Sequence, residues 1–232
     1  MIRRALLAGA MLALPVAALA EVPLCRLPPQ VETPALPAPD GPRRMLPIAG
    51  YTLALSWSPE FCRTRERDPR AAWQCGGELG RFGFILHGLW PESTPGNWPQ
   101  WCEARALRAE TVRRNLCMTP SPDLIAHEWA KHGACMARTP DGYFKAGSAL
   151  LRSLRYPDMI RLSRRPGLTA GDFRAAFRTA TPFLPASAIR VKANGRGWLQ
   201  EVHICYGKDF LPAPCVDRGA EDGASLKIWR GP

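Results

Sequence analysis

Eight cysteines, at positions 25, 62, 75, 102, 117, 135, 205 and 215, constrain this chain more than any other feature. Whether they form disulfides or hold a metal depends on the compartment, and the N-terminus bears on that. Arg3 and Arg4 precede an almost uninterrupted apolar stretch from Ala5 to Leu19, and Ala18-Leu19-Ala20 has the small-x-small pattern of a signal-peptidase site. A membrane span needs about 20 apolar residues. This run is shorter and ends in a cleavage pattern, so residues 1–20 read as a signal peptide cut after Ala20 and not as an anchor. All eight cysteines then lie in the exported part, and an even number in an oxidising compartment predicts four disulfides. Zinc is the rival, but no CxxC pair occurs anywhere.

What remains of the 232 residues suits one domain with a real core. From Pro23 to Pro47 the chain is crowded with proline and lacks periodicity, so residues 21–48 read as an extended arm pinned by Cys25, and residues 49–232 as the domain proper. No later segment is apolar for long enough to cross a bilayer. The short Ala/Leu signal and the absence of an N-x-[ST] site favour a periplasmic over a fully secreted address. The formal net charge is +11, of which Arg3 and Arg4 supply two. Such a balance attracts polyanions and specifies no chemistry.

Tyr51 to Ser58 alternates, with Leu53, Leu55 and Trp57 on one side, and Phe82 to His87 forms a second strand stopped by Gly88 and Pro91. Helical patterns cover Glu103–Leu116, the stretch from Pro122 to a stop at Gly133, and Tyr143–Arg155. Arg152, Arg155, Arg161, Arg164 and Arg165 read as an Arg-rich helix, either a solvated positive face or an electrostatic guide for a polyanion such as RNA. Thr169 with Asp172 three residues on is a capping box opening a helix at Phe173, Ala176 and Phe177, and Trp198–Tyr206 is another strand. Strands and helices mix without regular βαβ alternation, which predicts an α+β fold around a mainly antiparallel sheet.

Three of the four histidines fall in two short motifs: Phe84-Ile-Leu-His87-Gly-Leu-Trp90-Pro91 and His127-Glu128-Trp129-Ala130-Lys131-His132-Gly133-Ala134-Cys135. At about 100° per residue, His127, Lys131, Glu128 and His132 share one side of a helix. A face chosen for solubility would use better helix formers, and like charges four apart carry a small cost. The zinc-protease pattern HExxH places its histidines at i and i+4; here the spacing is i and i+5 and a lysine ammonium sits inside the cluster, which argues against metal ligation. Two histidines with a lysine and a glutamate suit RNA cleavage, in which the 2′-hydroxyl attacks the adjacent phosphorus. One imidazole would take its proton, another would protonate the leaving 5′-oxygen, and cationic groups would stabilise the phosphorane.

These motifs resemble FxxHGLWP and HEWxKHGxC, the two active-site motifs of the ribonuclease T2 family, with no departure at the defining positions; weaker likeness runs from Tyr51 to about Cys215. The resemblance implies that family's fold and a metal-independent endoribonuclease of broad base specificity, without cofactor or obligate protein partner, acting as a monomer on single-stranded RNA. It implies His132 as general base and His87 as general acid, His127 as a phosphate ligand, and Glu128 and Lys131 as stabilisers of the phosphorane. Trp90 would stack on a base whose edge Glu92 contacts. It further implies disulfides Cys75–Cys117, Cys102–Cys135 and Cys205–Cys215, which leaves Cys25 with Cys62. His203 matches neither motif and reads as structural. A zinc hydrolase and an exported protein that binds RNA without cutting it are the alternatives.

Overall fold

The computed structural model describes residues 25–231; the signal peptide expected over residues 1–20 lies outside them. The sheet has four antiparallel strands: β1 (Gly50–Trp57), β2 (Phe84–Glu92), β3 (Ile189–Ala193) and β4 (Leu199–Gly207), in the order β2-β1-β4-β3. Seven helices accompany it among the described residues: α1 (Ser58–Cys62), α2 (Ala72–Cys75), α3 (Ala109–Asn115), α4 (Pro122–Lys131), α5 (Pro140–Ser153), α6 (Met159–Ser163) and α7 (Ala170–Ala180). None of the described helices is long and apolar enough to cross a membrane.

Strand periodicity divides the sheet into an apolar face and a chemical one. Leu53 and Leu55 of β1, Ile189 and Val191 of β3, and Val202 and Ile204 of β4 are fully buried in a core shared with Ile125 and Trp129 of α4 and Phe173 and Phe177 of α7. Residues directly opposite across a ladder share a face. Thr52 pairs with Trp90 and Cys205, Ala54 with Gly88 and His203, Ser56 with Glu201, and Lys192 with Glu201. The polar alternates of all four strands therefore line one side.

Several expectations hold. The α4 helix starts where Ser121 caps it, the Ser121 Oγ accepting from the Leu124 N–H at 3.2 Å with Pro122 in the first turn, and it ends before Gly133. The Thr169–Asp172 capping box opens α7. Other expectations need correction. The β2 strand does not stop at Gly88 and Pro91 but runs to Glu92. A bulge between Ala54 and Leu55 absorbs His87 as the extra residue, and Pro91 is tolerated because β2 is an edge strand. The helix expected over Glu103–Leu116 begins only at Ala109; the earlier stretch is irregular, and the Arg105 carbonyl accepts from the Trp129 indole at 2.7 Å. The Arg-rich helix does not form as one element: Arg152 lies in α5 and Arg161 in α6, while Arg155 sits in the link that contains Pro157, and Arg164 and Arg165 follow α6.

Two disulfide expectations are overturned as well. Cys102–Cys135 and Cys205–Cys215 form, but the others are Cys25–Cys117 and Cys62–Cys75, not Cys25–Cys62 and Cys75–Cys117. Cys62 and Cys75 end helices α1 and α2, which the turns and single 3-10 helix over residues 63–71 bring together. The arm lies elsewhere: the Arg26 N–H donates to the Leu79 carbonyl at 2.8 Å and the Arg113 guanidinium donates to the Pro28 carbonyl at 2.8 Å, which leaves Cys25 beside Cys117, just past α3.

Candidate active site

The α4 helix lies beside β2, so the polar side of His127-Glu128-Trp129-Ala130-Lys131-His132 meets the sheet where β2 bulges. Trp129 and Ala126 are buried in the core, as the helical phase requires. Gly133 lets the chain turn tightly there; a Cβ would come within 2.6 Å of the Trp129 ring and 2.8 Å of Tyr143. The Cys102–Cys135 bond fastens the turn after α4.

Glu128 is the centre of the arrangement. It is buried, its Oε2 accepts from the Trp90 indole N–H at 2.7 Å, and its Oε1 lies 3.6 Å from His87 Nε2. The Trp90 ring packs among three imidazoles, with centroids 5.3 Å from His87, 5.6 Å from His132 and 5.1 Å from His203. Gly88 allows this closeness, since a Cβ there would overlap the Glu128 carboxylate.

The other side of His87 meets a residue that the motifs do not contain. The His87 Nδ1–H donates to Glu201 Oε1 at 2.7 Å. The same carboxylate accepts from Ser56 Oγ at 3.1 Å, from Lys192 Nζ at 2.9 Å and from His203 Nε2 at 2.9 Å. Sequence reasoning missed Glu201. The available signal was weak: a glutamate beside a histidine at alternate positions of an otherwise apolar strand. His203, read as structural, is buried and bonded to Glu201.

Electrostatics set the two motif histidines apart. Burial pushes the His132 imidazole down to about 3, and the charges of Lys131, His127 and His87 act in the same direction. Burial also disfavours the cation of His87, but the Glu201 hydrogen bond and the Glu128 and Glu201 charges outweigh it and hold His87 above its ordinary value. Burial raises Glu128 to about 7. Burial would raise Glu201 too, yet its His203 and His87 hydrogen bonds hold it far below the carboxylate range. His127 is lowered by burial and by Lys131. One imidazole is thus neutral and another protonated at the same pH, the condition that paired acid and base catalysis requires.

These groups open into a cleft of about 760 Å³ lined by His87, Trp90, Glu92, His127, Glu128, Lys131 and His132, so the structure brings together every site residue singled out in the sequence. Glu92, the last residue of β2, is raised by burial, and Thr52 and Arg190 offset part of that. Trp98, Tyr51 and Arg190 also line the cleft and were not expected. The arm reaches the site as well: Asp40 accepts from Lys131 Nζ at 2.7 Å and from the Trp101 indole at 2.9 Å. Among the described residues, no three His, Cys, Asp or Glu side chains are grouped as ligands for a metal ion.

Comparison with known proteins gives a consistent assignment. The model of the Ribonuclease T2 family matches residues 49–215. A ribonuclease of Aeromonas hydrophila is 32% identical over 175 residues, covering 72% of this chain and 76% of that protein. A probable ribonuclease of Haemophilus influenzae is 29% identical over 190 residues, covering 77% of this chain but 65% of the relative's length. In fold, the chain is similar to an RNase-related protein from Calystegia sepium (TM-score 0.61, 22% identity, covering 79% of this chain and 98% of the other). It is also similar to RNase NT, solved in complex with 5′-AMP (TM-score 0.59, 21% identity, 78% and 98% covered).

Proposed function

The chain belongs to the Ribonuclease T2 family of endoribonucleases, and we propose that it cleaves single-stranded RNA without a metal by using two histidines set to opposite protonation states. The observation that carries this reading is the pair His132 and His87, displaced in opposite directions by their surroundings while facing one cleft. His132, neutral, takes the proton of the 2′-hydroxyl, and the 2′-oxygen attacks phosphorus. His87, protonated, gives its proton to the departing 5′-oxygen, leaving a 2′,3′-cyclic phosphate. The roles reverse when water opens that ring to a 3′-phosphate.

The pentacoordinate phosphorane carries more negative charge than the diester, and Lys131 and His127 meet it from α4. Glu128, raised to about 7, is partly protonated near neutrality and can donate to a phosphoryl oxygen. Trp90 offers an indole ring for a base to stack on and Glu92 a carboxyl to the base's edge, a pairing that suits broad base specificity because stacking tolerates any base. RNase NT, similar in fold and solved in complex with 5′-AMP, lends support to nucleotide binding. We assign residues 49–232 to the catalytic domain and residues 21–48 to an arm, in a monomer exported after cleavage at Ala20 to the periplasm or beyond. The four disulfides favour an oxidising compartment.

The test is incubation of the processed protein with mixed-sequence RNA in excess EDTA, followed by analysis of product ends. Cyclic phosphates are expected first and 3′-phosphates later, and His87→Ala or His132→Ala should each lose at least about 100-fold in rate. RNA left intact in EDTA but cleaved once zinc or magnesium is restored would discard the mechanism.

A further inference from the structure

We propose that Glu201 is a positioning residue for His87: its carboxylate, anchored from three strands, holds the Nδ1–H and thereby leaves Nε2 as the nitrogen that exchanges protons with substrate. The inference rests on His87 being the acid and says how the fold makes it one.

Three observations converge on Glu201. The first is register. Ser56, Glu201 and Lys192 lie opposite one another across β1, β4 and β3, so the sheet itself puts a hydroxyl and an ammonium against the carboxylate. The second is saturation. Oε1 accepts from His87 and Ser56, and Oε2 from Lys192 and His203, so the carboxylate has no freedom to swing away from the ring. The third is the ring's own situation. His87 is the extra residue of a bulge, and its Nε2 faces Glu128 across 3.6 Å at the cleft. A bulged residue lacks the regular ladder that fixes its neighbours, so its side chain needs an anchor of its own.

The proton inventory explains why such an anchor matters in both steps. In transphosphorylation the Nε2 proton passes to the 5′-oxygen, and the ring is left neutral with its remaining proton on Nδ1, bonded to Glu201. That tautomer has its lone pair on Nε2, which is what the second step needs in order to accept a proton from water. The Nδ1 proton never leaves. Without the carboxylate, the neutral ring could settle in the other tautomer, with its basic nitrogen turned from the substrate. His87 titrates under the influence of Glu201 and Glu128, which favour its cation, and of Lys192, which opposes it; His127 and His132 face it from α4. Removal of the Glu201 charge therefore lowers the pH at which His87 loses its proton.

The experiment compares Glu201→Gln and His87→Ala with the unaltered enzyme on two substrates. One is a dinucleoside phosphate, whose alkoxide leaving group needs a proton; the other is a uridine 3′-(4-nitrophenyl phosphate), whose phenolate does not. Glu201→Gln should lower kcat on the dinucleotide by at least about tenfold with little change in KM, and leave the aryl ester nearly untouched. Its kcat/KM profile should also lose activity at lower pH on the alkaline side. Equal losses on both substrates, or none on either, overturn the inference. If His87→Ala itself loses equally on both, the acid assignment fails and the inference falls with it. If His87→Ala is selective for the dinucleotide and Glu201→Gln is not, only the role of Glu201 falls. A measurement on the unaltered enzyme needs no variant to fold: ¹⁵N spectra of the His87 ring should show Nδ1 protonated throughout the titration and Nε2 changing state. Titration at Nδ1 overturns the inference.

Discussion

His87 and His132 carry the same side chain, and their difference lies in the neighbours. His132 is 8% exposed, and burial opposes its protonation, helped by the charges of Lys131, His127 and His87, with Asp40 pulling more weakly the other way. His87 stands between two carboxylates. The sign of the pH dependence follows. The base must be neutral, so activity is present above the His132 value of about 3 and is lost as pH falls toward it. The acid must be protonated, so activity is present below the raised His87 value and is lost as pH rises through it. Because Glu128 interacts with His87, the alkaline limb belongs to the coupled pair. Initial rates on a dinucleoside phosphate should give a broad bell whose acid limb lies well below the ordinary histidine value and whose alkaline limb lies above it. A narrow bell centred on the ordinary histidine value would contradict this separation. An unperturbed pair would have both groups half-protonated at that centre, and the two environments remove that loss.

At the scale of elements, the site is the meeting of one helix with one irregular strand. The helix was readable. Pro122 and the stop at Gly133 bracket it, and its phase puts His127, Glu128, Lys131 and His132 on one side, as found. The strand was readable only as far as His87, because Gly88 and Pro91 are terminators in a regular strand and become acceptable at a bulge on a sheet edge. Glu201 was invisible for a different reason: its meaning comes from three other strands, none of which lies near it in sequence except through the β3–β4 hairpin. Gly88 tests the junction. An alanine there would place its Cβ within 2.6 Å of Trp90 Nε1 and into the Glu128 carboxylate, so both must move or the strand must shift. A displacement of about 1 Å at reacting groups can cost on the order of 100-fold in rate, whereas overpacking costs about 1–3 kcal/mol in stability. Gly88→Ala should therefore remain folded by urea titration and lose most of its kcat. Near-normal turnover would mean that the Trp90–Glu128 contact is dispensable.

For the whole molecule, the cysteine count announced four disulfides, but the pairing implied by the family resemblance was wrong for two, since pairing depends on which loops this fold brings together. The correct pairing changes the energetics. Cys25–Cys117 spans 92 residues, whereas Cys62–Cys75 and Cys205–Cys215 span 13 and 10. In the chain-entropy model, a bond of the first kind stabilises by roughly 4–5 kcal/mol and one of the others by about 3 kcal/mol, because the longer loop restrains the unfolded chain more. That argument assumes that the native state is indifferent to the bond, and the arm bears on the assumption. Between Cys25 and Ala49 it is tied to the body by the Arg26–Leu79 and Arg44–Gln100 backbone bonds, by Arg113 on the Pro28 carbonyl, and by Asp40 on Lys131 and Trp101. If these hold the arm once the bond is gone, urea denaturation of the Cys25→Ser, Cys117→Ser double variant should show the full loss, about 2 kcal/mol beyond that of Cys205→Ser, Cys215→Ser. If the arm instead frays in the native state, the folded chain gains entropy as well and the two variants lose about the same. Fraying would also release Asp40 from Lys131, so kcat/KM at low substrate would change in that variant while the Cys205, Cys215 variant stayed as before. The stability difference and the activity therefore move in opposite senses, and measuring both decides whether the arm is held by its own contacts or by the disulfide alone.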